Sequence, residues 1–143
     1  MVLARAAPLL PSVRKNTANP TGTTVARLLG KNVTDVDVRS VRGLAVIGFA
    51  GTNGGTWQYS ATGGRTWLSL NTATARTARL LKDTDLVRFL PKHNFVGRAT
   101  LVFRAWDRTT GIAGGTANLA SASATGRATA FSSGTETATV AVV

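Results

Sequence analysis

Residues 53–67 read NGGTWQYSATGGRTW, and no other stretch limits the choice of fold so tightly. Trp57 and Tyr59 are two apart, so on a strand both rings point to one face. Gly63-Gly64 can take the positive φ angles of a tight turn, and Thr66-Trp67 begins a return strand. The stretch therefore predicts a β-hairpin. Two of the three tryptophans fall inside it, so Trp57 and Trp67 are expected to anchor a hydrophobic core. An exposed binding platform is the other use of such rings.

The rest of the chain follows the same short period. Residues 33–38 (VTDVDV) alternate valine with polar residues, and residues 43–49 (GLAVIGF) form a glycine-bounded apolar run suited to a core strand. In residues 85–91 (DLVRFLP), Val87 and Phe89 share a face and the proline stops the ladder. Residues 98–106 (RATLVFRAW) read as the central strand, with Leu101, Phe103 and Ala105 inward and Val102, Arg104 and Trp106 on the other side. Residues 135–143 (TETATVAVV) alternate again and close the fold, and a short strand is expected near residues 77–81. Residues 23–29 suit either a strand or a single helical turn ended by Gly30.

Pro8, Pro11 and Pro20 limit residues 1–20 to a linker with at most an extended edge segment. Residues 108–134 are dominated by Gly, Ala, Ser and Thr and predict a long mobile loop. With 143 residues the chain is the size of one domain. The expected fold is all-β, an antiparallel β-sandwich of about seven strands over residues 21–143.

Composition narrows the chemistry. There is no cysteine, which excludes disulfides, thiolate metal sites and cysteine nucleophiles together. The single histidine, His93, sits in the turn-like PKHNF and would have to carry any histidine-based site alone. Six acidic residues against 17 Lys and Arg leave a net charge of +11, which favours polyanion contacts. The basic residues are scattered, though, so a nucleic-acid arm is not indicated. No apolar run approaches the roughly 18 to 20 residues that span a bilayer. Arg5 and Pro8 interrupt the opening MVLARAAPLLPS before a signal-peptide core forms. Asp35 and Asp37 share one face of an extended segment and could reach one hard cation, or stand as a solvated face.

The segments TDVD (34–37), GLAVIG, GTWQYSATGGRTW, VRFLPKHNFVG (87–97), LVFRAWD (101–107) and a terminal TATVAVV, in that order, resemble the cadherin-like repeats that occur in tandem in large bacterial surface and secreted proteins. The likeness extends over residues 8–143. It implies an immunoglobulin-like sandwich, an extracellular or cell-surface location, a stalk or adhesive role, and calcium bound between neighbouring repeats. On this resemblance Asp35 and Asp37 match the family's aspartate pair, and Asp107 matches the aspartate that closes the long strand. Other ligands of the pattern are missing: Arg14-Lys15 stands where an acidic residue is usual. The expectation is a degenerate calcium site at Asp35, Asp37 and Asp107 or none at all, and no other cofactor. The turn SATGGRTW (60–67) also resembles the S-x-D-x-G-x-T-W box of sialidase-type blades, with Thr62 in place of the aspartate; a single copy builds no propeller.

These readings lead first to a non-catalytic structural or adhesive module, partnered by neighbouring repeats. A second reading is a basic module for acidic polysaccharide or another polyanion, with Arg88, Arg98 and Arg104 converging from adjacent strands onto one sheet face. A third is self-assembly through exposed edge strands and the TATVAVV end. Catalysis is not expected, because glycosidase chemistry needs two carboxylates flanking a sugar and most of the six acids lie in turns or on a charged face.

Overall fold

The computed structural model describes residues 2–3, 9–29, 33–34, 43–50, 54–108, 110–120, 131–132 and 135–143. In chain order its elements are β1 (Val2–Leu3), β2 (Thr23–Thr24), α1 (Val25–Leu29), β3 (Val33–Thr34), β4 (Gly43–Ala50), β5 (Gly55–Ser60), β6 (Leu68–Ser69), β7 (Ala78–Lys82), β8 (Leu86–Pro91), β9 (Gly97–Trp106), β10 (Thr116–Ala117) and β11 (Glu136–Val142).

The hairpin forms, with its return strand, β6, beginning at Leu68 rather than at the expected Thr66-Trp67. β5 pairs antiparallel with β6, Gln58 opposite Ser69 and Tyr59 opposite Leu68. Gly63 and Gly64 take φ of 70° and 93°, and the Ser60 hydroxyl oxygen accepts from the amide of Gly64 at 2.9 Å, closing the turn. The two tryptophans part company, however. Trp57 is 1% exposed and lies in the core edge-on to Phe89, ring centroids 5.3 Å apart. Trp67 is only half-buried and lies outside the core clusters, so the expectation that it anchors the core is corrected.

Two antiparallel sheets face each other, one of four strands in the order β2-β8-β5-β6 and one of five in the order β10-β7-β4-β9-β11. This is the expected all-β sandwich. The strands in these sheets number nine rather than about seven, because β2, β6 and β10 are two-residue pieces. β1 and β3 make a separate antiparallel ribbon. Trp57, Tyr59, Val87 and Phe89 from one sheet meet Leu44, Val46, Leu101, Phe103 and Val140 from the other, and α1 adds Val25, Leu28 and Leu29. Residues 23–29 are thus a strand and a helical turn in succession.

The apolar run of β4 has a specific cause. Leu44 and Val46 face the core, while Ala45 faces outward into a second cluster with Ala78, Leu80, Trp106, Leu119 and Phe131. Both faces of this strand are covered, so alternation is lost. A bulge between Val46 and Gly48 then shifts the phase, and Phe49 packs against the main core. The cover comes from the connection after β9. β10 pairs with β7, Phe131 bridges Trp106 and stacks on it at 6.5 Å, and the Trp106 indole N–H donates to the carbonyl of Thr110 at 2.8 Å. In its described residues, 110–120 and 131–132, this connection carries β10 and buries Leu119 and Phe131.

The N-terminal segment is equally engaged. Residues 9–13 run parallel to β11, bridging Leu9 to Thr139 and Val13 to Val142. Amides of Leu10, Val13 and Lys15 donate to carbonyls of Thr139, Ala141 and Val143, and the Val143 amide donates back to Val13, at 2.7–2.9 Å. Leu10 is 8% exposed and joins the core. Along residues 139–143 that edge is occupied by the chain's own N-terminal segment, so this part of the TATVAVV end is not open to the expected pairing with a neighbouring copy.

Candidate functional site around Arg88

Strand alternation places Arg88 between Val87 and Phe89, so its side chain leaves the four-stranded sheet on the outer face while theirs enter the core. An outward arginine on a sheet is normally solvated. Arg88 is 7% exposed, because three other parts of the chain close over it. The β5–β8 register sets Gln58 opposite Arg88, and Nε donates to the Gln58 amide oxygen at 2.8 Å. Nη1 donates to Asn19 Oδ1 at 2.5 Å and to the Pro20 carbonyl at 3.1 Å. The guanidinium also lies 4.0 Å from the centroid of the Trp67 ring, a cation–π contact made stronger by desolvation.

The strap over Arg88 depends on one glycine. Gly22 has φ +78°, and a Cβ there would stand 2.8 Å from the Val87 carbonyl and 3.1 Å from the Trp67 ring. Only glycine lets residues 19–22 pass this close.

All these partners are neutral. Ion pairs among the described residues include Lys82–Asp85 at 3.9 Å and Arg108–Asp83 at 3.5 Å, and neither involves Arg88. Burial lowers the Arg88 pKa from its ordinary value, yet an arginine starts so high that it keeps its charge. The result is a buried, fully charged cation held by neutral acceptors and one indole face.

A cavity of ≈ 270 Å³ opens beside it, under residues 10–22 as they cross from the edge of β11 to β2. Leu10, Val13, Phe89 and Val140 give it apolar walls, and Arg14, Ser12, Thr17 and Asn19 give it polar ones.

The other expected site residues are dispersed. Arg98 and Arg104 lie on β9, in the opposite sheet from Arg88, with side chains on its outer face. Arg98 is exposed; Arg104 is half-buried and donates to the Ser132 carbonyl at 3.1 Å. The expected convergence of Arg88, Arg98 and Arg104 on adjacent strands is therefore corrected: the two outer faces point away from each other. Asp107 is half-buried just past β9. Asp35 and Asp37 lie outside the described residues, and among those described no three His, Cys, Asp or Glu side chains gather as metal ligands. His93 is exposed in the β8–β9 turn.

Asp85 serves the turn before β8. Its Oδ2 accepts from the Lys82 amide at 3.0 Å, while Oδ1 is buried without a hydrogen bond, the Lys82 ammonium standing at ion-pair distance. Burial raises its pKa, partly offset by the Lys82 amide and by the charges of Lys82 and Arg108.

Of the residues that build the cradle of Arg88, Trp67 stands out in the sequence as a large aromatic, whereas Asn19 and Gln58 do not. Gln58 lies between two core aromatics, which marks it as outward-facing. Only the strand register shows what it faces. Comparison with protein-family models, with curated proteins and with solved structures finds no match for this chain.

Proposed function

We propose that the chain is a non-catalytic β-sandwich module of a bacterial surface or secreted protein, serving as a spacer or adhesive unit among neighbouring modules of the same kind. The observation that carries this reading is the parallel course of residues 9–13 and β11 along one edge. Parallel neighbours run the same way, so Leu9 stands at one end of that edge and Val143 at the other. Such a unit can be strung end to end without doubling back. Among the described residues four backbone hydrogen bonds join the two segments, so tension between the ends loads them together rather than one at a time.

The test is a tandem of two copies joined Val143 to Met1. Small-angle scattering is expected to give a maximum dimension close to twice that of one copy. A tandem as compact as a side-by-side pair, or a natural reading frame with no similar segment beside this one, would overturn the proposal.

A further inference from the structure

We infer that the cavity beside Arg88 binds a carboxylate carried on a single sugar ring, a hexuronate unit. Three observations converge on it, and none depends on the spacer reading.

The first is charge. Arg88 is nine-tenths buried, and its hydrogen-bond partners are Gln58, Asn19 and the Pro20 carbonyl, all neutral. A buried cation without a counter-ion is costly, and an anion beside it recovers that cost. The donor inventory shows room for one. Of five N–H groups, those on Nε and Nη1 are engaged, while Nη2 has no acceptor among the described residues and is not among the buried atoms that lack a partner. The second observation is that a second cation, Arg14, lines the same cavity and is exposed, so the potentials of both add inside it.

The third is shape and polarity. At ≈ 270 Å³ the cavity falls just below the roughly 300 to 1,000 Å³ of sites for drug-sized ligands, so its occupant is small. Leu10, Val13, Phe89 and Val140 suit the C–H face of a ring, and Ser12, Thr17 and Asn19 stand where ring hydroxyls would need partners. In this arrangement the carboxylate accepts from Arg88 Nη2 and Arg14, and the ring lies along the apolar wall. Trp67 is not among the residues lining the cavity and so does not touch the sugar; its ring lies against the guanidinium, 4.0 Å from the centroid.

The experiment is a nitrogen–proton NMR titration of the whole chain with D-galacturonate at about 0.15 M salt, following Arg88 Nε–H and the Trp67 indole N–H. Both signals are expected to shift saturably, with no shift from D-galactose. Arg88→Met is expected to weaken binding about tenfold or more, the scale of losing one charge-assisted contact. Arg98→Gln, on the other sheet, is expected to leave it unchanged. Ser12→Tyr adds a bulky ring to the cavity lining at a residue that is not a hydrogen-bond partner of Arg88, so it decides the matter should Arg88→Met fail to fold: it is expected to abolish the shifts. Four results would overturn the inference. These are no saturable shift, binding retained in Ser12→Tyr, inorganic phosphate competing as well as galacturonate, and benzoate binding more tightly than galacturonate.

Discussion

Asp85 shows how one buried side chain leaves a pH signature. Its carboxyl is 1% exposed and its pKa lies above the usual 3.8, chiefly through burial. The native state therefore keeps a proton that the unfolded chain has already released. By linkage, this group's contribution to stability falls as pH rises from 3.8 towards the native value. Asp85→Asn keeps an acceptor for the Lys82 amide and cannot ionise. Urea unfolding between pH 4 and 7 should show wild type losing ground to Asp85→Asn as pH rises. A difference independent of pH would mean that Asp85 titrates alike in both states. Nothing in the sequence around residue 85 signals this burial, because it comes from α1 docking on the turn: the Val25 amide donates to the Asp85 carbonyl at 2.9 Å. Gly63 and Gly64 are the opposite case. Their positive φ follows from residue type and turn position, both visible in one line of sequence.

At the scale of elements, strand alternation was legible and strand partners were not. β8 and β9 present the faces their sequences predict, since a period of two is a local property. Which strands lie side by side depends on contacts far apart in the chain, so Arg88 and Arg104 were expected together and stand in different sheets. The N-terminal segment makes the same point. Its prolines forbid a regular central strand, but Leu10, Val13 and Lys15 still have amides to give to an edge. Val13→Pro removes the donor to Ala141 and should cost about 1–3 kcal/mol. Ser12→Pro, one residue away where the amide makes no such bond, should cost much less. Equal drops in melting temperature would show that this pairing does not hold the edge.

Over the whole molecule, the charge of +11 is spread rather than focused. Arg98 is exposed on one sheet, Arg65 is exposed in the hairpin turn, and Arg88 is buried on the other sheet. A dispersed field attracts polyanions without a defined seat for them. Heparin should retain the chain at low salt and release it by about 0.1 to 0.2 M. Arg98→Glu and Arg65→Glu should advance elution by similar small amounts. Loss of retention in Arg98→Glu alone would instead locate a polyanion face on the five-stranded sheet.

The class of fold, the hairpin turn and the inward residues of β5, β8 and β9 were determined by the sequence alone, because turn chemistry and alternation act over a few residues. Tertiary structure decided the rest. It set Trp57 in the core and Trp67 over Arg88, gave β4 cover on both faces, and tied residues 9–15 to β11. Each of these depends on which surfaces meet across tens of residues, and register and coverage of that kind are settled only when the two sheets close on a common core.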